Sequence, residues 1–311
     1  ALGLQGAVEE QAFVNVLSGK LPDGSEIPAV HGEHRPGVDM TFSAPKSVSL
    51  LALIGKDDRI IGAFRDSVTA TLGWAEKNLI EARVWDPSAK MQVVEKTGNM
   101  VAATFLHDVN RNNEPQLHVH AVIANATKAS DGKWHAVHND QLYRGQHLLG
   151  AIHNAELRAR IEELGYETTP ARNPIDGAFE IKGVSREAID AFSTRREQIL
   201  EALAREERSS PRERELAALA TRQAKNPEFS PEQRGAEWLA TAERVGFDGR
   251  ALIDAAAERS AQRETVWSRV VEGARGIGAR GLAIAGAMGL TPKDGDPLVP
   301  ERLGRLDPKA F

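Results

Sequence analysis

His107, His118 and His120 carry the strongest chemical signal in the chain. In a strand, side chains two positions apart project to the same face, so His118 and His120 stand together while Val119 turns away. His107 closes the preceding strand-like run, and the eight residues from Asp108 to Pro115 are enough to turn the chain back. Three imidazoles can therefore converge on one sheet face. Three neutral nitrogens suit Mn²⁺, Zn²⁺, Ni²⁺ or Fe²⁺ and leave coordination positions open to substrate oxygens. Mg²⁺ prefers oxygen and is a weaker intrinsic match. A single strand histidine reads more simply as packing, but a His-x-His pair with a third histidine from the adjacent strand reads as a metal site. The spacing leaves the reaction open between phosphodiester chemistry and a cupin-like oxygenase. Of the other histidines, His31 and His34 fall in a loop. His135, His138, His147 and His153 are scattered over turn and helix, where solvated or outer-shell roles are expected.

Composition narrows the setting. The chain has 311 residues, with 39 Lys+Arg against 44 Asp+Glu, a net charge of −5 and no cysteine. The lack of cysteine excludes a disulfide framework, a thiolate metal site and a cysteine nucleophile, and it suits a reducing, cytoplasmic location. No run approaches the ~18 apolar residues of a spanning helix, so no membrane segment is expected. The acidic balance gives no global attraction for nucleic acid. A polyanion partner must be held by a local patch or a metal.

The elements that would position the histidines are legible from periodicity. A short helix is expected over Val8–Leu17, followed by a turn at Leu21–Gly24, and Gly37–Phe42 has β character. Pro45 sits where the first turn of a helix tolerates it, ahead of a buried helix over Ser47–Ile54. From Asp57 to about Arg83 the apolar residues Ile60, Ile61, Phe64, Val68, Leu72, Ala75 and Leu79 share one face of a long amphipathic helix. Strands are expected at Met91–Glu95, Gly98–His107, Gln116–Thr127 and Phe179–Ile181, with a tight turn at Asp131-Gly132 leading into Lys133–Val137. A helix over Gln146–Leu164 stops at Gly165. Antiparallel strands interleaved with helices give an α+β fold with an antiparallel palm over residues 1–183. Residues 184–260 read as almost wholly helical, with good starts at Ser185 and at Ser230-Pro231-Glu232-Gln233. Residues 261–311 read as a Gly- and Pro-rich tail or linker. The sequence at Gly276–Gly281 satisfies GxGxxG, but no strand precedes it and no ribose-binding acid stands in context, so a dinucleotide site is rejected.

The run from His107 to His120, His-Asp-x-x-Arg-x-x-Glu-Pro-Gln-Leu-His-x-His, resembles the metal motif of the TraI/TrwC-type (MobF) conjugative relaxases, members of the HUH endonucleases. The block Arg35-Pro36-Gly37-Val38-Asp39-Met40-Thr41-Phe42-Ser43-Ala44-Pro45-Lys46-Ser47-Val48-Ser49 is similar to the same family and highly specific. Thr97–Val101, Asn154–Leu157, Leu164–Glu167, Ala191–Arg195 and Ala236–Ala242 follow in the family's order. The likeness covers roughly residues 1–250.

The resemblance implies a relaxase that nicks one strand at a plasmid transfer origin. A tyrosine attacks the scissile phosphate, and His107, His118 and His120 hold a divalent ion on the phosphate oxygens. In function that ion is expected to be Mg²⁺ or Mn²⁺, with Zn²⁺ or Ni²⁺ as further occupants. By similarity Asp39 is the acid that orients a ligating histidine or takes the nucleophile's proton. The implied partner is single-stranded DNA with an adjacent hairpin, and other relaxosome proteins are compatible partners. Residues 184–260 would be the flap over the DNA. Lys46 at a helix start and Arg195 and Arg196 beside the Ala-Phe-Ser block are the candidate phosphate contacts. Trp85 and Trp134 could stack on bases, although packing is the simpler expectation.

The family places its nucleophilic tyrosines near the N-terminus, ahead of a Leu-Gly-Leu-x-Gly element. Here that element stands at Leu2–Gly6, and the only tyrosines are Tyr143 and Tyr166, neither at the nucleophile position. A fragment missing its tyrosine segment is expected. The alternative is a catalytically inactive relaxase-like module that binds single-stranded DNA.

Overall fold

Strand β5 (Pro115–Ala124) is the centre of the palm, between β1 (Gly37–Ser43) and β4 (Ala102–Val109), both antiparallel to it. This computed structural model describes residues 6–27, 34–172, 175–205 and 230–263. The elements that bear on the site lie in one compact unit within residues 1–258. β5 alternates strictly: Leu117, Val119, Ala121 and Ile123 are buried, while Gln116, His118, His120 and Val122 lie half-open on the other face. That period of two is what a sheet covered by helices on one side requires. At the start of β1, Gly37 pairs with Ala124, and a Cβ there would stand 2.1 Å from the Ile123 carbonyl oxygen. Only glycine fits so close a strand approach.

The buried face rests on α2 (Lys46–Leu53), α3 (Asp58–Leu79) and α5 (Gln146–Glu163). Val48, Leu51, Phe64, Leu72, Leu157 and Ile161 join the β5 residues in one core cluster. Each fully buried Leu, Ile or Phe contributes about 2 kcal/mol before chain entropy is set against it. α3 starts at Asp57, whose side chain accepts from the Arg59 amide, and Tyr166 Oη donates to the same carboxylate at 2.6 Å. α2 has no side-chain cap of its own. Glu180 on β9 (Phe179–Ile181) supplies one across space by accepting from the Ser47 amide at 3.0 Å, a favourable place for a negative charge.

The expected α+β palm is present. α3 stops four residues short of the helix expected to Arg83: Ile80 is already extended, and Glu81–Asp86 form strand β2, hydrogen-bonded to β3 (Met91–Lys96). The ladder outcompetes the helical pattern because Ala82 and Val84 are buried on its inner side. The long strand expected to Thr127 breaks after Ala124, and Thr127–Lys128 (β6) pair instead with Trp134–His135 (β7). The short β8 (Thr168–Pro170), partner of β9, carried too little pattern to be expected. α1 spans Glu10–Leu17 and α4 Asp140–Arg144.

Beyond β9 the described residues are helical: α6 (Arg186–Ala191), α7 (Thr194–Arg205), α8 (Pro231–Arg244) and a helix from residue 250. Ser185 caps α6 through the Ala188 amide, and Ser230 with Gln233 closes a full capping box on α8. The GxGxxG run at 276–281 and nearly all of 261–311 lie outside the described residues.

Candidate metal centre

Register brings the three histidines together. His107 on β4 is directly opposite His118 on β5, and His120 follows two residues on, so all three project from the open face of the sheet. Their ring centroids lie 5.1 to 5.3 Å apart, and one nitrogen from each falls within 4.8 Å of the others. Among the described residues this is the one cluster of three or more histidines and acids that could share an ion.

The rings are also oriented. His120 Nδ1 donates to Asp39, at 2.9 Å from Oδ2, and Thr41 Oγ1 lies 3.2 Å from the same nitrogen. His118 Nδ1 donates to the Gln116 carbonyl at 2.9 Å. In both rings the Nδ1–H is spent, which leaves the Nε2 lone pair for a ligand. Burial holds His118 below the usual imidazole range, and the neighbouring His107 and His120 act in the same direction. A neutral ring is the form that ligates. Donor type, convergence and tautomer control therefore all fit a divalent transition ion.

Asp39 sits on β1, opposite Val122, and reaches the diagonal neighbour His120. Thr41, two residues along the same strand, is directly opposite His120. Sequence reading missed Thr41, although alternation from Asp39 would have found it. α1 covers one flank of the open face: Phe13 meets Phe105, the residue opposite His120, edge to face at 5.4 Å. Beside it, α1 and the ends of β4 and β5 line a groove of about 480 Å³.

Lys46 is half-buried, and its ammonium donates to the Pro115 carbonyl at 2.9 Å. Burial lowers it to about 8, against the pull of Glu114 and Glu180. The helix-start amide that a phosphate would use, Ser47 N, is bonded to Glu180. Arg195 and Arg196 open α7, directly after Thr194, whose backbone amide and hydroxyl both donate to Glu114 in the turn between β4 and β5. Trp134 is buried with its indole N–H on Asp23, so packing is its role, whereas Trp85 on β2 is exposed.

Neither tyrosine stands at the triad. Tyr166 is buried, its hydroxyl spent on Asp57, and burial followed by that bond pushes its ionisation well above the ordinary range. Tyr143 is 60% exposed and lines a cavity with Gly37 and Ala124. That end of the sheet is four strand positions from His120, roughly 13 Å by strand rise. His153, expected to be solvated or outer-shell, is instead a core residue. It packs against Phe42 and Phe64 with centroids at 5.2 and 5.4 Å, and burial lowers it to about 4. One helical turn of α5 faces the core at that position, which the residue type alone did not reveal.

Two histidines on the central strand and one on its neighbour are displayed together on the open face of an antiparallel palm. The family model described as TrwC relaxase matches residues 1–245, and the chain belongs to the TrwC relaxase family. It is 40% identical over 271 residues to the multifunctional conjugation protein TraI of Escherichia coli, covering 83% of this chain and 15% of that protein. The chain thus spans about 15% of the length of the curated relative it matches. The conjugative relaxase TrwC in complex with oriT DNA, in a metal-bound structure, is similar at TM-score 0.72 and 38% identity over 80% of this chain and 86% of that one. TrwC bound to a 27-mer DNA comprising the recognition hairpin and the cleavage site is similar at TM-score 0.73 and 39% identity, over 80% and 89% of the two chains. No helix among the described residues is long and apolar enough to cross a membrane.

Proposed function

We propose that this chain is the DNA-processing module of a relaxase that nicks and rejoins single-stranded DNA at a plasmid origin of transfer through a tyrosine–phosphate intermediate. The observation that carries this reading is the convergence of His107, His118 and His120 within 4.8 Å on a relaxase palm. Those three residues would hold a divalent ion, Mg²⁺ or Mn²⁺ in function, with Zn²⁺ or Ni²⁺ also suited to three imidazoles. When bound, such an ion supplies positive charge to the non-bridging oxygens of a phosphodiester. Asp39 holds His120 in its ligating tautomer. The reaction would take place in the cytoplasm, with other relaxosome proteins as compatible partners.

DNA would lie across the open sheet face, between the palm of residues 1–183 and the helical segment 184–260. Arg195 and Arg196 are proposed phosphate contacts because Thr194 and Glu114 tie the start of α7 to the metal-strand turn. Lys46 is proposed by its place at the head of α2, and its bond to Pro115 is the competing use. Trp85 is open to stack on a base.

With Tyr166 sequestered and Tyr143 at the far end of the sheet, these 311 residues by themselves are expected to bind metal and origin DNA without forming a covalent adduct. The alternative, an inactive relaxase-like module that binds single-stranded DNA, shares that behaviour. The test is incubation with Mn²⁺ and an oligonucleotide carrying a hairpin and a single-stranded cleavage site. Metal-dependent binding supports the reading, and binding indifferent to metal and to the hairpin contradicts it.

A further inference from the structure

The turn joining the two histidine-bearing strands is clamped from outside the sheet. After His107 the β4–β5 register shifts, and the ladder resumes only with Val109 opposite Pro115. The chain between them is closed internally by Asn110. Its Oδ1 accepts from the Asn112 and Glu114 amides at 2.9 and 3.1 Å, and its Nδ2 donates to Glu114 at 2.6 Å. The outer side is held by the helical segment. Glu114, only 7% exposed, accepts from the Thr194 amide at 2.6 Å and from its hydroxyl. Asn112 Nδ2 donates to Gln198 at 3.2 Å, and Trp238 Nε1 on α8 donates to the Asn113 carbonyl at 2.7 Å. On the near side, Lys46 donates to the Pro115 carbonyl.

A hairpin turn has no need of this. Turns ordinarily lie in water, where their polar groups are satisfied without cost, and burying a carboxylate is unfavourable unless it is fully paired. Here three elements distant in sequence converge on the residues between His107 and His118. The consequence is geometric. Within its sheet β4 pairs on one side only, and the register shift begins directly at His107. Its position opposite His118 therefore depends on where the turn is held.

We propose that Glu114 and Trp238 are positioning residues for the three-histidine centre: by pinning the β4–β5 turn to α7 and α8 they fix His107 against His118 and His120. The inference rests on the reading of the triad as a metal site. It also makes the helical segment a determinant of metal affinity, although it supplies none of the three ligands. Anything that shifts α7 or α8, DNA lying beneath them included, is then felt at the ion.

The experiment is Co²⁺ titration of the full chain without DNA, read by calorimetry and by the visible d–d spectrum, for the parent, Trp238→Phe, Glu114→Gln and Tyr166→Phe. Trp238→Phe keeps an aromatic side chain but deletes the indole N–H and part of its packing on the Leu50, Ala188 and Phe192 cluster, so it serves even where Glu114→Gln does not fold. Tyr166→Phe weakens the fold at the α3 start, away from the turn. The expected result is a loss of affinity of roughly tenfold in Trp238→Phe with an altered spectrum, as for residues that orient ligands through others. Tyr166→Phe should bind like the parent despite a lower melting temperature. If Trp238→Phe binds Co²⁺ within about twofold of the parent with an unchanged spectrum, the clamp is structural only and the proposal is overturned. If the parent binds no Co²⁺, the metal reading falls as well.

Discussion

Asp39 and His120 are locked together across the β1–β5 ladder, with Oδ2 2.9 Å from Nδ1. This pair joins the most family-specific block of the sequence to the strand that carries His118 and His120. It also assigns the aspartate a definite job: it accepts the Nδ1–H, so His120 presents Nε2 to the open face. Replacing Asp39 by Ala should free the ring and weaken Mn²⁺ binding by roughly 10- to 100-fold. Asp39→Asn, which can still accept the hydrogen bond but lacks the charge, should fall between. Calorimetric titration of both variants checks the order.

Acid should unfold the protein partly through His153. Its ring is 3% exposed, packs between two phenylalanines and has an Nε2 with no hydrogen-bond partner among the described residues. The folded state depresses this histidine from 6.5 to about 4, so the unfolded chain takes up the proton first. Its contribution is therefore complete above about pH 6.5 and is lost as pH falls towards 4, up to about 3 kcal/mol in all. Denaturant melts of His153→Leu and the parent at pH 5 and 7 should show a markedly smaller pH dependence in the variant. Equal slopes would show that His153 does not carry the acid sensitivity.

Tyr166 is expected to matter for stability alone. Losing its bond to the Asp57 carboxylate should cost about 1.5 kcal/mol, because hydrogen bonds to charged groups sit at the upper end of the scale. Tyr166→Phe should melt lower and bind a hairpin oligonucleotide like the parent. A tyrosine-linked DNA adduct recovered from the 311-residue chain, and lost in Tyr166→Phe or Tyr143→Phe, would contradict the placement of both residues.

Salt dependence discriminates the two uses of Lys46. If its ammonium reaches a phosphate, Lys46→Met should reduce the log–log salt slope of single-strand binding by about 0.7. If its bond to the Pro115 carbonyl is its whole role, the slope should stay and the melting temperature fall. Arg196→Ala, altering an exposed residue of α7, is expected to lower the slope.

Much of the centre was legible because a strand repeats every two residues. His118, His120 and the return of His107 follow from that period and a turn of suitable length, and Asp39 from the family block. What escaped lies in contacts between segments far apart in sequence. Nothing local says that Glu114 meets Thr194 or that Trp238 meets Asn113, 80 and 125 residues away. α3 ends at Leu79, short of the expected Arg83, for a related reason. Arg83 continues a plausible helical face, and only pairing with β3 makes Glu81–Asp86 a strand. His153 shows the same limit, since its neighbours Phe42 and Phe64 come from other elements.

Whether the three histidines hold an ion is decided by a Mn²⁺ titration of the chain beside His107→Ala, His118→Ala and His120→Ala. One ion per chain is expected in the parent, with binding reduced by roughly tenfold or more in each variant, because one of three ligands is removed. Mn²⁺ binding that survives all three substitutions unchanged would contradict that expectation.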